Sequence, residues 1–211
     1  MAFQTIDYER WERREIYEAF HRTGIYITVQ MDITELRAAL KKRGLRLYPA
    51  LIYCVCRVVN SHEEYRYGYD ENHNIGIWDV LHPFYTLPRR DNGDLFSMKY
   101  TEYAPDFTEF YRRFLEDSER GETCGRLICD EVLPKNIVGI SAMPGARFSS
   151  FQFFGDQKED LTPFVVFGKF YREGERTLIP VSGEFSHGVS DGVQISRFFE
   201  GLEDCAARLL E

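Results

Sequence analysis

One stretch near the C-terminus carries a group suited to moving a proton. His187 is followed by Gly188, Val189, Ser190, Asp191 and Gly192, which reads H-x-x-x-D-G. Imidazole is the side chain best matched to taking a proton near neutral pH. The residues before it, Thr177 to Ser182, read as an extended run, and Val193 to Leu210 have the spacing of an amphipathic helix. His187 is thus expected at a strand-to-helix joint, where a side chain is held rigidly and still reached by substrate. The competing reading is a structural histidine with its nitrogens satisfied, and a motif this short does not choose between them.

A neighbouring aspartate also suggests a Ser-His-Asp hydrolase. Gly139-Ile140-Ser141-Ala142-Met143 lacks the final glycine of G-x-S-x-G, so no nucleophile elbow is expected. Taken alone, Ser141 reads as a hydroxyl satisfying a nearby backbone group. Metal chemistry is not expected. Cys54 and Cys56 lie two apart on a predicted helix and face different ways. Cys124 and Cys129 have a loosely zinc-like spacing with no second pair to complete a site. Five cysteines, an odd number, predict free thiols in a reducing compartment.

The elements that must position His187 follow from composition and pattern. With 211 residues, 44% hydrophobic and 15% aromatic, a single domain spanning 1–211 with a sizeable core is expected. The net charge of −8 argues against nucleic acid and gives no support for an anionic membrane surface. No run approaches the ~20 apolar residues of a membrane span. Met1 to Arg10 has no apolar stretch of the signal-peptide kind, so a soluble, cytoplasmic protein is expected.

Asp7 to Phe20 reads as a short helix or an extended arm, and Ile25 to Met31 alternates as a strand with one buried face. Asp32 and Glu35 form a capping pattern for a helix to about Arg43. Tyr48-Pro49 opens a second, almost wholly apolar helix to Val59. Hairpins are expected for 65–69 with 75–80, for 84–87 with 95–100 across Asn92-Gly93, and for 164–171 with 177–182. His73, in the first of these turns, reads as solvent-exposed. A helix is expected over 105–120, and further strands over 136–143 and 149–154. Strands and helices mix without regular alternation, which predicts an α+β fold.

Read in order, these landmarks resemble the chloramphenicol acetyltransferase family, within the CoA-dependent acyltransferases that share H-x-x-x-D-G. The matching stretches are Trp11-Glu12-Arg13, Met31-Asp32-Ile33-Thr34, Tyr48-Pro49-Ala50-Leu51-Ile52-Tyr53, Ile77-Trp78-Asp79, Leu95-Phe96-Ser97, Ile140-Ser141-Ala142-Met143-Pro144, Leu178-Ile179-Pro180-Val181 and His187 to Gly192. The likeness covers essentially the whole chain. It implies a two-layer sandwich, a mixed β-sheet with helices packed on one face.

The resemblance implies acetyl transfer from acetyl-CoA to a small-molecule alcohol in a ternary complex, as in antibiotic inactivation, with no metal. His187 would be the general base, its second ring nitrogen held by its own backbone carbonyl. Ser141 would donate to the tetrahedral oxyanion. Asp191 would pair with Arg13 within about 4 Å and pin the loop. Lys169, Phe170 and Arg46 would meet the cofactor. Phe20, Ile25, Phe96, Phe151, Phe153 and Val166 would line the acceptor pocket. The assembly implied is a homotrimer with sites between subunits. The clustering of Phe148, Phe151, Phe153 and Phe154 fits this, since alternating side chains cannot all face one core.

Some positions depart from the drug-acetylating pattern. Ser186 replaces the first of two histidines, Ser190 a cysteine, Phe20 a tyrosine, Ile25 an aromatic, Phe153 an aliphatic residue, Val166 a threonine and Gly145 a tryptophan. These changes alter the acceptor pocket and leave the catalytic groups in place. Alternatives are a family member acting on another hydroxylated small molecule, an enzyme using a lipoyl-bound acyl group, and a non-catalytic binding homologue.

Overall fold

A computed structural model describes residues 2–153 and 160–210. The main sheet runs in the order β2-β10-β8-β7-β5-β6, with β9 paired to β10. Its strands are β2 (Gly24–Asp32), β5 (His82–Pro88), β6 (Phe96–Tyr100), β7 (Ile137–Ala142), β8 (Phe164–Phe167), β9 (Tyr171–Glu173) and β10 (Arg176–Ser186). β7 lies parallel to both β5 and β8, and the other pairs are antiparallel. A second small sheet joins β1 (Phe3–Thr5), β4 (Ile75–Trp78) and β3 (Tyr67–Tyr69).

Strand alternation assigns the two faces. Met31, Tyr85, Leu87, Val138, Ile140, Val165, Phe167, Val181 and Phe185 are buried in one apolar cluster. That cluster also takes side chains from α2 (Thr34–Arg43), α3 (Leu47–Ser61), α4 (Phe107–Thr123) and α5 (Gly192–Arg208). Because strand side chains alternate, all four helices cover one face of the sheet. Residues in between, Thr28, Thr86, Ser141, Val166 and Ser182, point to the opposite face. The α+β two-layer expectation describes this architecture.

Local chemistry explains the helix ends. The Asp106 side chain accepts from Glu109 N at 2.8 Å and opens α4. Asp32 Oδ1 accepts from Thr34 N at 2.9 Å at the start of α2, and Gly44 at φ 67 closes that helix in the left-handed conformation. α3 carries ten buried residues along its length, which is why its sequence shows no polar stripe. α1 is short, Arg14–Phe20, and follows a 3-10 turn at Tyr8–Arg10.

The structure corrects three expectations. Residues 149–153 form no strand, and Phe154 lies outside the described residues. Their backbone groups are taken by side chains of the sheet: Phe151 N donates to Thr28 Oγ1 at 3.3 Å and Ser182 Oγ donates to Phe151 O at 2.7 Å. The expected strand 164–171 is two strands: Gly168 N still donates to Pro180 O of β10, and Lys169 N then turns away to Ala146 O. Cys124 and Cys129 are not free thiols. Gly125, at φ 65 just past the end of α4, turns the chain back so that their Cα atoms lie 5.8 Å apart and a disulfide joins them. Cys54, Cys56 and Cys205 are free and buried.

Among the described residues no helix is long and apolar enough to cross a membrane. No cluster of three His, Cys, Asp or Glu side chains converges on a metal-sized site there either.

Candidate active site

β10, flanked by β2 and β8, ends at Ser186 and delivers His187 just past its C-terminal end, and α5 begins five residues later. The loop between them is fixed at several points. His187 N donates to Thr23 O at 2.8 Å, tying it to the start of β2. Gly188 passes so close to α1 that a Cβ there would meet His21 Cα at 3.0 Å and Tyr17 Cδ2 at 3.1 Å. Any larger residue would have to push the two segments a few tenths of an ångström apart. Asp191 ends the loop with two separate tasks. Its Oδ1 accepts from Val193 N at 3.3 Å, and its backbone N donates to Gln194 Oε1 at 3.1 Å, a capping box for α5. Its Oδ2 accepts from Arg13 Nη2 at 3.2 Å, and Arg13 Nε reaches Gly188 O at 3.5 Å.

The Arg13 and Asp191 side chains are 18% and 34% exposed, so this pair sits between the surface and interior regimes. Arg13→Ala is expected to cost roughly 1–3 kcal/mol of stability and to lower turnover by loosening the loop. Urea unfolding and steady-state kinetics measure both. Unchanged midpoint and unchanged turnover would show the pair to be incidental.

The His187 ring stacks on Phe20, with ring centroids 4.3 Å apart and 30° between planes. Its Nδ1 is buried, and no other residue bonds it. Nε2 is left as the nitrogen that can meet a substrate. Ser186 Oγ, next to it, is likewise buried and unbonded.

A cavity of about 850 Å³ opens on the other side of β10. Phe96, Phe151, Phe153, Val166, Ser141, Lys169 and Phe170 all line it, together with Tyr48, Thr86 and Met143. It therefore gathers most of the expected acceptor residues with the expected Ser141, Lys169 and Phe170. The wall is largely apolar, and its hydroxyls come from Tyr48, Thr86 and Ser141. Ser141 Oγ and Thr86 Oγ1 are 3.1 Å apart. Tyr48 donates its phenol to Thr86 O at 3.3 Å, and burial pushes the Tyr48 phenol well above its ordinary range, keeping that proton in place.

The cavity does not include His187, Phe20 or Ile25. Ile25 pairs with Phe185 in the ladder and packs against the helix-side core. Register gives the separation of His187 from Ser141: Ser141 lies beside Val166, and Val166 beside Ser182. Two strand spacings and then five residues along β10 place His187 on the order of 20 Å from Ser141. One chain thus holds the two halves of the expected machinery apart.

Arg46 is exposed at the start of α3 and lies outside the cavity lining. Two arginines near the Lys169 end were not anticipated. Arg37 sits 4.0 Å over the Phe170 ring, and Arg147 sits 3.4 Å over the Tyr171 ring. No sequence pattern marks them, because α2 and the 147 loop are distant in the chain from Phe170 and Tyr171. Thr86 and Tyr48 were missed as a pair for the same reason.

A family model described as chloramphenicol acetyltransferase matches residues 1–203. A chloramphenicol acetyltransferase of Clostridium perfringens is 34% identical over 211 residues, covering 98% of this chain and 96% of the relative. One of Staphylococcus aureus is 33% identical, covering 97% and 96%. One of Campylobacter coli is 34% identical, covering 97% and 98%. Among solved structures, a chloramphenicol acetyltransferase superposes with TM-score 0.81 at 23% identity over 96% of this chain and 99% of that one. The dihydrolipoamide acetyltransferase of Azotobacter vinelandii superposes at 0.66 with 14% identity, covering 93% and 86%, which shows a shared fold. By whole-length sequence match and by architecture, the chain belongs to the chloramphenicol acetyltransferase family and is an acetyltransferase.

Proposed function

We propose that the chain transfers the acetyl group of acetyl-CoA to a hydroxyl of a small, largely apolar alcohol, and that chloramphenicol is accepted weakly. The observation that carries this reading is the apolar cavity with Ser141 and Thr86 in its wall and cations at one end. Lys169 lies at that end, with Arg37 over Phe170. Cations suit the phosphates of CoA, and Phe170 offers an aromatic surface to its adenine. The apolar wall selects acceptors by shape and area, and a few polar groups set orientation.

In this reading His187 takes the proton from the acceptor hydroxyl as its oxygen attacks the thioester carbonyl. Ser141 donates to the oxyanion that forms. The CoA thiolate leaves as the tetrahedral species collapses, and the proton held by His187 is passed to it. The distance between His187 and Ser141 within one chain supports sites shared between subunits. A homotrimer is the assembly the family resemblance favours. A cytoplasmic location fits a reaction that draws on acetyl-CoA.

Phe20 and Val166 supply no hydroxyl where the drug-acetylating pattern has one. Two missing hydrogen bonds, each worth roughly 0.5–1.5 kcal/mol, amount to about one to two decades in kcat/KM. Steady-state kinetics with acetyl-CoA and chloramphenicol, followed by thiol release, are expected to show acetylation reduced by that much. Efficiency near the diffusional ceiling would refute the weak-pocket reading. No acetylation at any soluble concentration would remove chloramphenicol and leave another hydroxylated acceptor.

A further inference from the structure

We propose that Thr86 is the positioning residue for Ser141: its hydroxyl donates to Ser141 Oγ and so frees the Ser141 proton to point at the reacting carbonyl. The inference rests on the reading of Ser141 as the oxyanion donor.

The argument starts from the strands. β5 and β7 are parallel, with Phe84 beside Gly139 and Tyr85 beside Ile140. Continuing that register sets Thr86 beside Ser141. Tyr85 and Ile140 point into the core, so both hydroxyls point to the opposite face and into the cavity. Their oxygens are 3.1 Å apart. Among the described residues each hydroxyl has the other as its hydrogen-bond partner.

Two hydroxyls in contact share one hydrogen between them, and either can supply it. Only one arrangement serves catalysis. If Ser141 donates to Thr86, its single proton is spent and it cannot stabilise a developing oxyanion. If Thr86 donates to Ser141, the Ser141 proton stays available, and accepting a hydrogen bond polarises that hydroxyl into a stronger donor. The apolar lining favours this second arrangement once substrate is bound, because the carbonyl oxygen is then the acceptor that Ser141 faces.

The backbone under Thr86 is fixed as well. Tyr48, on α3, donates its phenol to Thr86 O. That bond keeps β5 in register with the helix layer and holds the Thr86 side chain at Ser141. A donor placed in advance costs no reorganisation when charge develops.

A double-mutant cycle in the full-length enzyme tests the inference, with Thr86→Val, Thr86→Ser, Ser141→Ala and the Thr86→Val/Ser141→Ala pair. Thr86→Val is expected to lower kcat about 2- to 12-fold, the scale of one hydrogen bond, with KM for acetyl-CoA nearly unchanged. Thr86→Ser is expected to restore kcat to within about twofold, because it returns the hydroxyl. In the Ser141→Ala background, Thr86→Val is expected to add less than about a twofold loss, since the group it positions is gone. Equal losses in both backgrounds would overturn the inference and make Thr86 a matter of pocket shape. A Ser141→Ala enzyme with unchanged kcat would overturn it differently, by removing Ser141 as the oxyanion donor. Thermal melting of each variant identifies any that fail to fold, and for those the Thr86→Ser comparison decides.

Discussion

His187→Ala is expected to lower kcat by at least ~10²-fold while acetyl-CoA binding is unchanged, because loss of a general base removes that much rate. Both halves of this expectation have a structural ground. The ring is held in place by its stack on Phe20 and by the neighbouring main-chain bond from His187 N to Thr23 O. With Nδ1 buried, Nε2 is the nitrogen a substrate can meet. The cavity that holds Lys169 and Phe170 takes no part of its wall from His187, so removing the imidazole leaves that cavity as it was. The substitution also loses an aromatic contact worth about 0.5–1.5 kcal/mol, too little to unfold a domain of this size. Steady-state kinetics and calorimetric titration with CoA separate the two quantities. A variant that keeps kcat within about tenfold of the parent would remove His187 as the base.

How much of this site could be read from the sequence depends on what each residue answers to. The His187 loop was legible because several local signals agree there. A strand pattern ends, an aspartate stands where a helix N-cap belongs, and a helix pattern begins. The Asp191 cap of α5 follows from such local chemistry. The contact of Arg13 with Asp191 spans 178 residues and has no local signal; the shared motifs of a family suggested it.

The stretch from 149 to 153 shows the opposite limit. Its aromatics suit a strand, but Thr28 and Ser182 bind its backbone from the face of the sheet, so tertiary hydrogen bonds outweigh β-propensity. The same holds for 164–171, where Lys169 N leaves β10 for Ala146 O just past Gly168. A Cβ at Gly168 would meet Phe148 at 2.8 Å and Ala146 O at 3.1 Å, so the loop before it packs directly onto the backbone. Family position puts Ile25 at the acceptor pocket; within this chain it pairs with Phe185 and packs, partly buried, against the core. The Cys124–Cys129 disulfide was missed because an odd cysteine count speaks for the chain as a whole and says nothing of one turn.

The separation of His187 from Ser141 leads to the second large effect. His187→Ala and Ser141→Ala, each nearly inactive alone, are expected to regain activity when the two chains are assembled together. Removing one oxyanion donor costs about 10²–10³ in kcat, and removing the base costs at least ~10², so neither parent contributes much on its own. If a site takes His187 from one subunit and Ser141 from its neighbour, a mixed assembly contains sites with both groups intact. In a closed ring of three with random mixing, about a quarter of the sites pair a Ser141→Ala chain that keeps His187 with a His187→Ala chain that keeps Ser141. Co-expression, or unfolding and refolding of an equal mixture, should therefore restore about a quarter of parental turnover, at least tenfold above either variant alone. The register of β7, β8 and β10 is the reason to expect this, since it holds the two groups too far apart in one chain to touch the same carbonyl. Mixing folded, already assembled variants without subunit exchange should give no recovery and serves as the control. Absence of recovery in refolded mixtures that light scattering shows to be trimeric would place both groups in one subunit's site, through a movement of the His187 loop of many ångströms.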